Sequence, residues 1–87
     1  MTAYNAYSKA IKDREFKAMR DKVYNRVAEG DSTTCAFHFI IEGQRFYFGY
    51  ERMYDEEAGE DVIAPFYGKC SVRGHGPGAN LKPVVIR

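Results

Sequence analysis

Residues 33–41 and 44–53 are rich in Thr, Phe, Ile and Tyr, and they meet at Glu42-Gly43. No other feature narrows the possible folds of this chain so far. Two such runs joined by a two-residue, glycine-containing turn specify a β-hairpin. A two-residue loop sets Ile41 opposite Gln44, Phe39 opposite Phe46, Phe37 opposite Phe48 and Cys35 opposite Tyr50. Strand alternation sends all eight side chains to one face. Four facing phenylalanines make that face a core face, and a slip of one residue would expose them, so the register is tightly specified. The opposite face carries Thr34, Ala36, His38 and Ile40 against Arg45, Tyr47, Gly49 and Glu51. It is mixed in character and is expected to be open to water.

The first thirty residues supply the cover. They are rich in Ala, Lys, Arg, Glu and Met, lack proline and end at Gly30, which together predict helix with a glycine stop. Thr2 is placed to cap the start. At 100° per residue, Tyr4, Tyr7, Ile11 and Ala18 share one direction, whereas Phe16, Met19, Val23 and Val27 share another, rotated by roughly 120°. One straight helix cannot bury both stripes on one flat sheet. A break is therefore expected within Lys12–Glu15, with Asp13 capping a second helix over about 14–29. The first helix, with its two tyrosines, is expected to stand free as an arm, available to contact a partner or a second copy of the chain.

Beyond the hairpin, Asp55-Glu56-Glu57-Ala58-Gly59-Glu60-Asp61 reads as an acidic loop. A third strand is expected over 62–72, placed at an edge or bulged by Pro65. Residues 73–80 hold three glycines and a proline and predict a flexible loop, and 81–86 a last short edge strand with Pro83. The whole, residues 1–87, is expected to be one α+β domain, with an N-terminal kinked or broken helix packed on a three- to four-stranded antiparallel sheet. Eighty-seven residues leave no room for a second domain. With 45% apolar and 29% charged residues, the composition is that of a globule rather than a disordered tail. The apolar run Cys35–Ile41 is too short to span a bilayer, no leader pattern opens the chain, and the two cysteines read as free thiols, so a cytoplasmic location is expected.

Charge is segregated along the chain. Residues 1–30 carry seven bases and four acids, residues 31–68 two bases and eight acids, and residues 69–87 four bases and no acid. The net charge of +1 therefore conceals an acidic middle between basic ends. Either the acidic loop is neutralised by the basic helices in the fold, or the separation orients a partner.

The residues that could carry catalytic chemistry are poorly placed for it. Cys35 and His38 lie three apart on a strand and point to opposite faces, and His75 sits between glycines. Cys35-x2-His38 with Cys70-x4-His75 imitates a zinc spacing, but zinc ligands come from tight turns rather than strands. The acidic loop lacks the oxygen ladder of a calcium loop. Gly68-Lys69-Cys70-Ser71 has no helix after it and is no phosphate loop. No cofactor and no metal is expected. Nucleic-acid binding has more behind it. Arg45-Phe46-Tyr47-Phe48-Gly49-Tyr50 interleaves aromatics with a base, and His38, Arg45 and Tyr47, with Lys69 and Arg73 for phosphate contacts, form the candidate surface for RNA or single-stranded DNA. The net charge is low for a dedicated binder.

Seven tyrosines in so short a chain exceed what its core absorbs, and tyrosine is favoured at protein interfaces. Tyr4, Tyr7, Ile11, Tyr54 and Tyr67 are the candidate protein-binding residues. The opening Met1-Thr2-Ala3-Tyr4-Asn5-Ala6-Tyr7-Ser8-Lys9-Ala10 and the tyrosine-rich single-domain build resemble small accessory proteins of tailed bacteriophages. The resemblance lies in the build of the whole chain rather than in a motif. It implies a protein that binds a host complex to inhibit or redirect it, and it transfers no residue role. A non-enzymatic protein-binding module, with homo-oligomerisation through the N-terminal helix, is thus the expectation, and nucleic-acid binding the alternative. Two arrangements would count against it: the phenylalanines bare to solvent, or a thiol and an imidazole converging in a pocket.

Overall fold

The computed structural model describes residues 1–71 and 76–87. Two helices, α1 (Ala3–Ala10) and α2 (Arg14–Ala28), precede β1 (Thr34–Ile41), β2 (Gln44–Asp55), β3 (Glu60–Lys69) and β4 (Val84–Ile86). The hairpin forms in the expected register, Ile41 opposite Gln44 through Cys35 opposite Tyr50. Glu42 (φ 53°) and Gly43 (φ 77°) both adopt left-handed backbone, the twist that matches the flanking strands in a two-residue turn.

The helix breaks where the two stripes change phase. Thr2 Oγ1 accepts from the Asn5 N–H (3.1 Å) and Asp13 Oδ1 from the Phe16 N–H (2.9 Å), capping the two helices separately. At the far end Gly30 N–H bonds Val27 O and Asp31 N–H bonds Arg26 O, the paired bonds that a left-handed glycine (φ 83°) permits after a helix.

The free arm does not exist. Ala6 and Ala10 of α1 are fully buried, and Tyr7 and Ile11 pack on the same core as Phe16, Val23 and the four hairpin phenylalanines. The break turns the chain, so two stripes that diverge on a straight helix converge on one sheet face. Phe16 sits at the centre, with ring centroids 5.1–5.5 Å from Phe37, Phe39 and Phe48.

The sheet order is β3-β2-β1-β4, and the sheet is mixed rather than purely antiparallel, because β4 pairs parallel to β1 through Phe39–Val84, Ile40–Val85 and Ile41–Ile86. The connection from β3 crosses to the far edge before β4 begins. Both proline-bearing segments lie at edges, as expected. Cys70 N–H bonds Arg45 O, and alternation from that bond turns the backbone nitrogen of Pro65 away from β2. Pro65 thus removes no ladder bond and blunts an edge that would otherwise recruit other strands.

The expected acidic loop over 55–61 shrinks to a turn at 56–59, with Asp55, Glu60 and Asp61 in strands. β2 runs to Asp55 and β3 starts at Glu60, so the two strands continue past the end of β1 as a two-stranded ribbon closed by a short turn. Asp55 Oδ1 accepts from Glu57 and Ala58 N–H and holds that turn. The radius of gyration, 13.2 Å with a long axis of 41 Å, exceeds the roughly 12 Å of a compact chain of this length. Arg52 ties the ribbon back to the helices through bonds to Val27 O (2.6 Å) and Ala28 O (3.3 Å) at the α2 C-terminus.

Candidate binding surface

The protein-binding candidates gather on the helix-covered face, whereas His38, Arg45 and Tyr47 lie on the opposite face and Lys69, paired with Phe46, on the helix side. On the opposite face His38 is not open to water. It is fully buried, enclosed by the strand beside it and by the segment returning from β3. Its Nδ1 lies 3.2 Å from Arg45 Nη1, and its Nε2 lies 3.2 Å from Gly76 O and 3.6 Å from Cys70 Sγ. A guanidinium only donates, so Nδ1 must be the acceptor, and Nε2 carries the proton that Gly76 O receives. A Cβ on Gly76 would lie 3.2–3.4 Å from Cys70 Sγ, the Tyr47 ring and His38 Nε2. The return segment therefore settles closely onto the sheet at that point.

The thiol and imidazole thus converge, one of the two arrangements set against a binding protein. Their protonation pattern decides what the pair can do. With Nε2 already protonated, the imidazole cannot take the thiol proton, and an imidazolium would turn an N–H toward the Arg45 guanidinium. Burial pushes the Cys70 thiol up, and Arg45 offsets this only in part. The thiol is held protonated, the reverse of an activated nucleophile. Cys35 points to the helix side and takes no part, and both cysteines are free thiols. Among the described residues no group of three or more His, Cys, Asp or Glu is placed to hold a metal.

The same geometry bears on the nucleic-acid candidates. His38 offers no free ring face, Arg45 is bonded to it, and Tyr47 lies flat across β3, where a Cβ on Gly68 would strike its ring. Lys69 is exposed at the end of β3, and Arg73 lies outside the described residues.

The helix side gathers the tyrosines. Tyr7 stacks on Phe48 (5.2 Å) and on Tyr67 (5.0 Å), Phe48 meets Tyr50 edge-on (5.3 Å), and Tyr50 meets Tyr24 of α2 (5.1 Å). These contacts form a continuous row of rings, Tyr24–Tyr50–Phe48–Tyr7–Tyr67, running from α2 across β2 to α1 and β3. Its ends open to solvent, Tyr24 being 42% and Tyr67 39% exposed. Tyr4 (64%) stands one helical turn from Tyr7, and Tyr54 (63%) stands farther out on the same side of the ribbon, opposite Asp61. Burial raises the Tyr50 hydroxyl pKa, with Arg20 nearby opposing the shift. Of the five candidate protein-binding residues, Tyr7 and Tyr67 meet, Tyr4 and Tyr54 flank them, and Ile11 belongs to the core. Tyr24 escaped the sequence reading, although it lies on the α2 flank one position from the buried Val23, and Tyr50, expected only on the core face opposite Cys35, joins the row.

The charges stay apart. Among the described residues the one ion pair is Lys9–Glu42 at 3.6 Å, between exposed side chains. No described base pairs with Glu56, Glu57, Glu60 or Asp61, so the basic helices do not neutralise the ribbon by ion pairing. A separate open cleft of about 370 Å³ lies at the β1 edge, between Arg26, Thr34, Ala36, Gly78 and Leu81. No described helix is long and apolar enough to cross a membrane. No family model, curated protein or solved structure matches the chain.

Proposed function

We propose that this chain is a small non-enzymatic module that acts by stoichiometric binding to another protein, as an inhibitor or modulator of a larger complex of the kind its phage-like build implies. The observation that supports this is the row of tyrosines open at both ends beside an acidic ribbon. Tyrosine gives a rigid, amphipathic contact that loses little entropy on binding and is enriched among the residues that dominate interface energies. The acidic border of this surface favours a protein segment carrying cations. Carboxylates at its rim repel a phosphate backbone, and the residues named for base stacking are enclosed or engaged, so the observations favour a protein over a nucleic acid.

The test is capture on the immobilised protein from nuclease-treated extract, with stoichiometry measured on the purified pair. Tyr54→Ala with Tyr67→Ala is expected to cost about 2 kcal/mol or more, about thirtyfold in Kd. Arg45→Ala with Tyr47→Ala is expected to leave affinity unchanged in whatever fraction stays folded. Capture that vanishes with nuclease, or that survives the tyrosine pair intact, overturns the proposal.

A further inference from the structure

We infer that the tyrosine-lined surface also receives a second copy of this chain, the acidic ribbon of each copy docking against the α2 flank of the other. The inference rests on the reading that this surface binds protein and names one occupant for it.

Both complementary halves are present in one chain. At 100° per residue Lys17, Arg20 and Tyr24 occupy one flank of α2, with Asp21 at its margin leaving the flank net basic, and the Tyr24–Tyr50 contact turns this flank toward β2. The helix side of the ribbon carries Tyr54, Ile63 and Asp61 beyond Arg52 at its base, with Glu56 and Glu57 at the turn. Neither set of charges is paired with a described residue. In the proposed dimer a two-fold axis sets Glu57 and Asp61 of each copy against Lys17 and Arg20 of the other. Tyr54 then reaches the exposed ring of Tyr24, and the same contact is made twice. The net charge of +1 leaves little overall repulsion between copies. The alternative partner face, the β3 edge, is blunted by the outward-turned nitrogen of Pro65 and does not favour strand addition. Charge complementarity thus selects ribbon against helix flank.

Light scattering on the purified protein in reducing buffer reads the mass directly. A dimer is expected at low salt, weakened about tenfold or more at about 0.5 M salt, where the Debye length falls to a few ångströms. Glu57→Lys with Asp61→Lys is expected to be monomeric, and so is Lys17→Glu with Arg20→Glu, each with an unchanged far-ultraviolet circular dichroism spectrum. Mixing the two variants restores a mass of two chains, a rescue that misfolded proteins could not give. A wild type that stays monomeric at every concentration at low salt overturns the inference, as does a mixture that fails to pair, an open ladder of larger species, or a dimer indifferent to both charge reversals. A monomeric wild type that still captures a protein through Tyr54 and Tyr67 refutes self-pairing alone and leaves the binding reading standing.

Discussion

Arg45→Met removes the donor that satisfies Nδ1 of His38 across 3.2 Å. The imidazole is fully buried, so the orphaned lone pair finds no bulk water. A buried acceptor left without its donor costs about 1–3 kcal/mol. Tautomer exchange gives no escape, because a proton moved to Nδ1 would leave Nε2 facing the Gly76 carbonyl lone pair to lone pair at 3.2 Å. Arg45 is half-buried, so its removal returns part of its own desolvation cost and leaves a net loss of about 1–2 kcal/mol. For a domain of this length that lowers Tm by roughly 4–16 °C. The assay is guanidinium unfolding at unchanged m-value, alongside long-range nitrogen–proton spectra that report which ring nitrogen of His38 is protonated. His38→Phe combined with Arg45→Met removes both partners, and is expected to recover most of the loss, giving a coupling that single substitutions would hide. An Arg45→Met protein as stable as the wild type, or wild-type spectra that place the proton on Nδ1, would rule out this role for Arg45.

Arg52→Ala is expected to cost about 1–2 kcal/mol in the same unfolding assay, since a charged donor to the last carbonyls of α2 is lost. Glu42→Asn should stabilise the chain by about 0.5–1 kcal/mol, because relief of left-handed strain at φ 53° outweighs the exposed Lys9–Glu42 pair, worth a few tenths. Gly49→Ala should fail to accumulate as folded protein, because its Cβ would strike the Ala36 side chain and the Cys35 carbonyl oxygen. For Cys70 and Tyr50 the folded state raises both pKa values above the ordinary 9.0 and 10.0. The unfolded chain therefore ionises first, so their contribution is intact below about pH 9 and declines as pH rises through the folded values. An alkaline fall in Tm that Cys70→Ala partly flattens would bear this out, and a Tm that stays level through that range would contradict it.

The hairpin was legible because its constraints are local. A turn that needs left-handed backbone and an alternation that puts four phenylalanines on one face leave a single register. The helix break was legible for the same reason, as a phase change in the apolar stripe. What that break does was not: the direction in which α1 leaves Asp13 is a tertiary fact, and burial of Ala6 and Ala10, small residues with weak hydropathy signals, is what places Tyr7 in the core. The parallel placement of β4 depends on a connection with no periodic pattern. The ribbon was hidden because its strands bury little beyond Glu51 and their acidic, glycine-bearing sequence reads as loop. His38 looked like a solvent residue on a polar face, and nothing in β1 announces the segment some forty residues later that covers it.

Stability and recognition therefore fall on different parts of the same sheet. The body of the domain is packed on both faces, by the helices on one and by Cys70, Gly76 and Gly78 against His38 and Ala36 on the other, and the residues that do this work are phenylalanines, alanines, aliphatic side chains and one buried imidazole. The outer ribbon, from Met53 round to Asp61, is largely exposed. Its pairing needs no help from a core, because the turn is held by Asp55 and the base by Arg52. Substitutions at Tyr54, Glu57 or Asp61 should consequently change unfolding free energy by no more than about 0.5 kcal/mol, as surface changes away from buried features do, while changing association strongly. A set of ribbon variants measured by both unfolding and light scattering separates the two properties directly. If association and stability instead fell together across the set, the ribbon would be part of the folding unit and its exposed tyrosine a packing residue of the domain.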